Sequence, residues 1–148
     1  MTTTIDRRQI SRRRERPPQG GFMHRLVGVG FAAAAVGNAI GTLRQAPSFL
    51  QWLADGAWIP PYPWLLQHLV DRADAVVGAT VIFEAAVAAM LITRWHERLA
   101  LALATLWVIG LIPALAWPYW VVNVPLAILF GALWWRSGST NDQPALNE

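Results

Sequence analysis

The stretch ADAVVGATVIFEAAVAAMLIT, Ala73 to Thr93, carries ionisable side chains only at Asp74 and Glu84. A helix rising ~1.5 Å per residue needs about 20 apolar residues to cross a hydrocarbon core ~30 Å thick, and this stretch is long enough. Glu84 stands about eleven residues, roughly 16 Å, from its first end, so the carboxyl falls near the bilayer midplane. A charged side chain there costs a few kcal/mol, so Glu84 is expected to face protein rather than lipid.

Working outward, three further runs read as spans: Leu26 to Leu43 (LVGVGFAAAAVGNAIGTL), Leu99 to Trp117, and Tyr119 to Trp135. The composition agrees. Residues of hydrophobic type make up 55% of the chain and charged residues only 14%, against roughly 25% in ordinary soluble domains. The expected fold class is an all-α membrane protein, a four-helix transmembrane bundle over 22–136 with spans at about 26–43, 73–93, 99–117 and 119–135. An Arg-rich tail, 1–21, and a polar tail, 137–148, flank it and are read as disordered. The first run is read as a span rather than a cleaved signal, because Gly37, Asn38 and Gly41 interrupt it and an Arg follows it.

Arg residues set the expected orientation, since short basic loops stay inside. Arg7, Arg8, Arg12, Arg13, Arg14, Arg16 and Arg25 precede the first span, Arg94 and Arg98 join the second to the third, and Arg136 follows the fourth. Arg44 and Arg72 fall on the other side. Both termini are therefore expected in the cytoplasm, with the chain a multi-pass protein of a bacterial inner (plasma) membrane. The basic tail has no interleaved aromatics and reads as a topology signal touching anionic lipid, not as a nucleic-acid site.

The segment 44–72 is too short and too interrupted to span. Phe49, Trp52 and Leu53, then Trp64, Leu65, His68 and Leu69, repeat the helical i, i+3, i+4 spacing on either side of Ile59-Pro60-Pro61-Tyr62-Pro63. Two short amphipathic helices forming a cap over the outer mouth are expected. Trp117-Pro118-Tyr119-Trp120 and Arg94-Trp95-His96-Glu97-Arg98 are short turns, which makes successive spans antiparallel neighbours.

Three other polar residues could meet Glu84 or line a path to it: Asn38, Asp74 and Asn123. Asp74 and Glu84, ten residues apart, are taken to lie on similar sides of their helix. A protonated Glu84 hydrogen-bonded to Asn38 or Asn123 is the structural solution; a ligand or proton site is the functional one. Ala33, Gly37 and Gly41 form a small-residue stripe expected to pack within the bundle, with a dimer contact as the alternative. His24, His68 and His96 are read as interfacial. No metal site is expected. With no Cys in the chain, dithiol chemistry and thiolate clusters are excluded as its own functions.

Four short helices, a Trp- and Pro-containing first loop (SFLQWLADGAWIP), a Glu in the second helix (VIFEAAVAAMLIT) followed by Arg94, and an Ala-rich third helix (LALALATLWVIG) together resemble the DoxX-like group of small membrane proteins, over about 22–135. That group includes relatives of the thiosulfate:quinone oxidoreductase subunit. The resemblance implies that Glu84 and Arg94 occupy its most recognisable positions and that the first helix ends in Gly37, Asn38 and Gly41. It also implies a redox setting, with quinone the candidate cofactor. Three functions follow as expectations: a non-catalytic subunit of a membrane redox process, a quinone-linked oxidoreductase, or a transporter using Asp74 and Glu84 as a relay. The expected partners are the lipid bilayer, a redox-complex protein or a second copy of the chain.

Overall fold

The computed structural model describes residues 20–138, and the two tails read from the sequence lie largely outside them. Six helices follow in order: α1 (Gly20–Gly37), α2 (Ala46–Gly56), α3 (Tyr62–Leu69), α4 (Ala73–Thr93), α5 (Glu97–Leu111) and α6 (Tyr119–Gly138). Four helical stretches are long and apolar enough to cross a membrane: Gly21–Gly56, Tyr62–Thr93, Glu97–Ala114 and Tyr119–Gly138. The α2–α3 segment lies at one end of the bundle, the cap end; α1 begins and α6 finishes at the opposite end.

The spans run longer than their apolar cores. Gly20 and Gly21, read as tail, open α1, and Ser137 and Gly138 close α6. In the other direction, α5 stops short of Trp117. Pro113 has no N–H to continue the ladder, and Ile112–Ala114 tightens to a 3-10 turn. The carbonyls freed there are taken by the cap: Trp58 N donates to Pro113 O and Trp58 Nε1 to Ile112 O, both at 3.3 Å. Close approach at Gly56, whose added Cβ would lie 3.1 Å from Ala116 Cβ, lets the cap sit against this turn. Aromatic pairs Trp52–Tyr119 and Trp58–Trp120 complete the seam.

Two apolar cores hold the fold. The larger brings together Val27 and Phe31 of α1, Val87, Ala88 and Leu91 of α4, Ala100, Leu101, Ala104 and Val108 of α5, and Phe130 of α6. The smaller, Ala46, Leu50, Ala73 and Val77, fastens the cap to the start of α4. Closest packing is between α1 and α4 and between α5 and α6, with α4 and α5 joining the two pairs. At Gly28 the first pair meets almost backbone to backbone: a Cβ there would lie 2.9 Å from Ile92 Cγ1, 3.1 Å from Leu91 Cβ and 3.2 Å from the Ala88 carbonyl.

The small-residue stripe is corrected by this packing. Ala33, Gly37 and Gly41 are exposed on the outside of the bundle, and a Cβ at Gly37 or Gly41 would meet nothing within 4 Å. The intramolecular contact uses the other small positions, Gly28 and Ala35, seven residues apart and so on one face.

Between α4 and α5 the chain reverses through Arg94 (φ 62°) and His96 (φ 57°), both left-handed. That conformation costs an L-residue about 1–2 kcal/mol, while glycine adopts it freely. His96 is exposed, with its ring beside that of Trp95, 4.3 Å between centroids. His96→Gly is therefore expected to stabilise the protein by about 1 kcal/mol, measured as a rise in melting temperature in detergent.

Candidate functional site

Glu84 reaches its position from the middle of α4 and is only 5% exposed. Opposite it, α1 loosens from α to π geometry over Asn38–Thr42. Such a turn is frequent at functional sites, since it re-aims side chains within a helix. Asn38 Nδ2 donates to Glu84 Oε2 at 2.8 Å, and Thr42 Oγ1 donates to Asn38 Oδ1 at 2.9 Å. An ionised Glu84 can only accept, so the amide nitrogen faces it and the amide oxygen is left to accept from the Thr42 hydroxyl. Of the two partners the sequence left open for Glu84, the structure selects Asn38.

Asn123 is half-buried and Asp74 exposed, and neither hydrogen-bonds Glu84. The expectation that Asp74 and Glu84 share a side is corrected by helix geometry. Ten residues at ~100° each leave them about 80° apart, enough to bury one and expose the other. Asp74 instead occupies the first turn of α4, where a negative charge suits the helix dipole.

Beside the Glu84 carboxyl is a cavity of about 400 Å³ walled by α1, α5 and α6. Its lining is apolar apart from Glu84: Leu26, Gly30, Phe31 and Ala34 from α1, Trp107, Val108 and Leu111 from α5, and Leu126, Leu129 and Phe130 from α6 surround it, with Met23 and Val27 at the end away from the cap. Phe83 backs Trp107, with ring centroids 5.1 Å apart. Glu84 is the one polar side chain lining this space; its Oε2 accepts from Asn38, and its Oε1 has no hydrogen-bond partner among the described residues. A site of this size, mostly apolar with one placed polar group, has the character of a small-molecule pocket.

A second polar cluster lies at the end opposite the cap. His24, expected at the surface, is 6% exposed, and its Nδ1 lies 3.1 Å from Glu97 Oε2. The carboxylate can only accept, which assigns the proton to Nδ1. Arg94 Nε donates to Glu97 Oε1, and Glu97 holds the guanidinium above its ordinary pKa, first through this hydrogen bond and then through its charge. A raised cation pKa contributes stability below the unfolded value and loses it only as pH climbs through the raised one, so this pair persists throughout the biological range. Arg94 thus serves the α4–α5 turn and the start of α1, where it lies against Gly21, and stands apart from Glu84.

The sequence reading missed His24, Phe31, Thr42, Trp107 and Phe130. One signal was present: His24, Phe31 and Asn38 recur every seven residues and so share the face that looks into the bundle. Among the described residues no group of three or more His, Cys, Asp or Glu is placed to hold a metal. Comparison with models of known families, with curated proteins and with solved structures finds no match to this chain.

Proposed function

We propose that this chain is a multi-pass protein of a bacterial inner membrane that holds a quinone-class molecule beside Glu84, as a non-catalytic subunit or accessory of a membrane redox process. The observation carrying the reading is a carboxyl, with one oxygen held by Asn38, lining an otherwise apolar, aromatic-lined space within helices long enough to span. A carboxylate accepts from a quinol hydroxyl; the protonated acid donates to a quinone carbonyl. One group therefore serves both redox forms of the same ring. Phe31, Trp107 and Phe130 line the space and supply aromatic surface for that ring.

The distribution of Arg supports cytoplasmic termini, which sets the cap on the outer face. The DoxX-like resemblance, carried by VIFEAAVAAMLIT, Arg94 and SFLQWLADGAWIP, supports the redox setting. A two-carboxylate proton relay fits less well, because Asp74 turns away from Glu84 and is exposed.

The test is to purify the protein in mild detergent and extract the lipid-soluble molecules bound to wild type and to Glu84→Gln. Co-purifying quinone with wild type, reduced at least tenfold in a variant of unchanged melting temperature, is the expected result. Equal retention by both proteins overturns the assignment of Glu84 as the binding group.

A further inference from the structure

The Glu84 carboxyl is at one end of its cavity, and the rest of the space continues along α1. Asn38 fixes the level of Glu84 on α1, whereas the lining residues of α1 run back from Ala34 to Met23, about 16 Å along the axis. Everything along that run is apolar. A small polar molecule dissolved in water would leave it unfilled, and a ring without a tail would use only the end near Glu84.

This run lies on the side where the bundle is least closed. α1 packs closely on α4, and α6 on α5, while α1 and α6 are not a closely packed pair. Phe31 and Phe130, with ring centroids 5.9 Å apart, bridge them by side chains. Gly30 is exposed next to this bridge, lines the cavity and has nothing within 4 Å of an added Cβ. Leu26 and Leu129 line the same space and are also partly exposed to the outside, at 53% and 37%. In a spanning bundle that outside is hydrocarbon.

We infer that the site takes a single-tailed amphiphile directly from the bilayer, its hydrogen-bonding ring at Glu84 and its tail lying along α1 past Gly30 and out through the α1–α6 seam. This rests on the quinone reading above and adds the tail and the route. A volume of about 400 Å³, near the small end of the usual range for ligand pockets, admits a ring and the first part of one chain, with the remainder of the chain in lipid. A freely soluble metabolite has no such tail to satisfy the run from Ala34 to Met23.

Gly30→Leu separates the two claims. The leucine enters open space, and leucine is a better helix former than glycine, so the fold is retained; an unchanged melting temperature verifies this. Binding is measured in lipid nanodiscs, above that of protein-free discs, with two probes: a tail-less dimethoxybenzoquinone and the same ring bearing a decyl chain. Wild type is expected to bind the decyl probe at least tenfold more tightly than the tail-less one. Gly30→Leu should remove that advantage by weakening the decyl probe far more than the tail-less one, and Glu84→Gln should weaken both probes. If Gly30→Leu leaves the decyl advantage intact, or weakens both probes equally, the tail route is overturned while the Glu84 site stands. If wild type binds neither probe saturably, the quinone reading itself fails, and the route with it.

Discussion

Gly28→Leu is expected to be among the most damaging single substitutions in the spanning helices, lowering stability by about 1–3 kcal/mol or more. The cause is steric and specific. A Cβ alone would lie 2.9 Å from Ile92 Cγ1 and 3.2 Å from the Ala88 carbonyl, and the latter is backbone that cannot rotate away. Leu91, completely buried beside it, has no room to yield either. To admit the side chain, α1 must lift from α4, and the separation opens the Glu84–Asn38 pair farther along the same interface. The matched control is Gly37→Ala, on the same helix but facing outward with nothing within 4 Å. It should be neutral or stabilise by up to about 1 kcal/mol through helix propensity alone. Reversible unfolding in mixed micelles measures both. Equal losses at the two glycines would mean that α1 presents a different face to α4.

The second large effect concerns the interhelical hydrogen bond. Such bonds average about 0.6 kcal/mol in membrane proteins and reach about 1.7, because a helix separated in the membrane finds other partners. Removing one side of a buried pair costs more than the bond, since the remaining polar group is left without a partner, about 1–3 kcal/mol. Asn38→Leu leaves the Glu84 carboxyl facing only apolar neighbours and is therefore expected to cost about 1–3 kcal/mol. Glu84→Leu should cost less, because Asn38 keeps its bond to Thr42. In the double variant no buried carboxyl remains, so Asn38→Leu/Glu84→Leu is expected to be more stable than Asn38→Leu alone. A double variant whose loss is the simple sum of the two would show that the residues are not coupled.

What could be read from the sequence and what could not divide along one physical line. α4 has the bounds its apolar run implies, because length and hydropathy alone decide a span. The two cap helices fall on either side of Pro60 and Pro61, as the missing N–H groups require. Glu84 was identifiable as a buried polar problem, and its solution was narrowed to two asparagines. Choosing between them needed the relative rotation of α1 and α4. That rotation was also what misplaced the small stripe: α1 has two faces rich in Gly and Ala, and only the company of His24, Phe31 and Asn38 marks which one turns inward. The His24–Glu97 contact joins residues 73 apart in sequence, and no local pattern in the chain specifies it. The cavity itself arises because α1 and α6 are held apart on the side where no loop joins them.

Chemical labelling of the membrane-embedded protein probes whether the Glu84 carboxyl, held at one oxygen by Asn38, lines a cavity reached from lipid. Dicyclohexylcarbodiimide, which partitions into the bilayer, and a water-soluble carbodiimide are applied separately, and the modified residue is located by peptide mass spectrometry. Glu84 is expected to be modified by the lipid-soluble reagent and spared by the water-soluble one, exposed Asp74 to show no such selectivity, and a decyl quinone to slow the labelling of Glu84. A Glu84 that resists the lipid-soluble reagent, or reacts only from water, would contradict access from lipid.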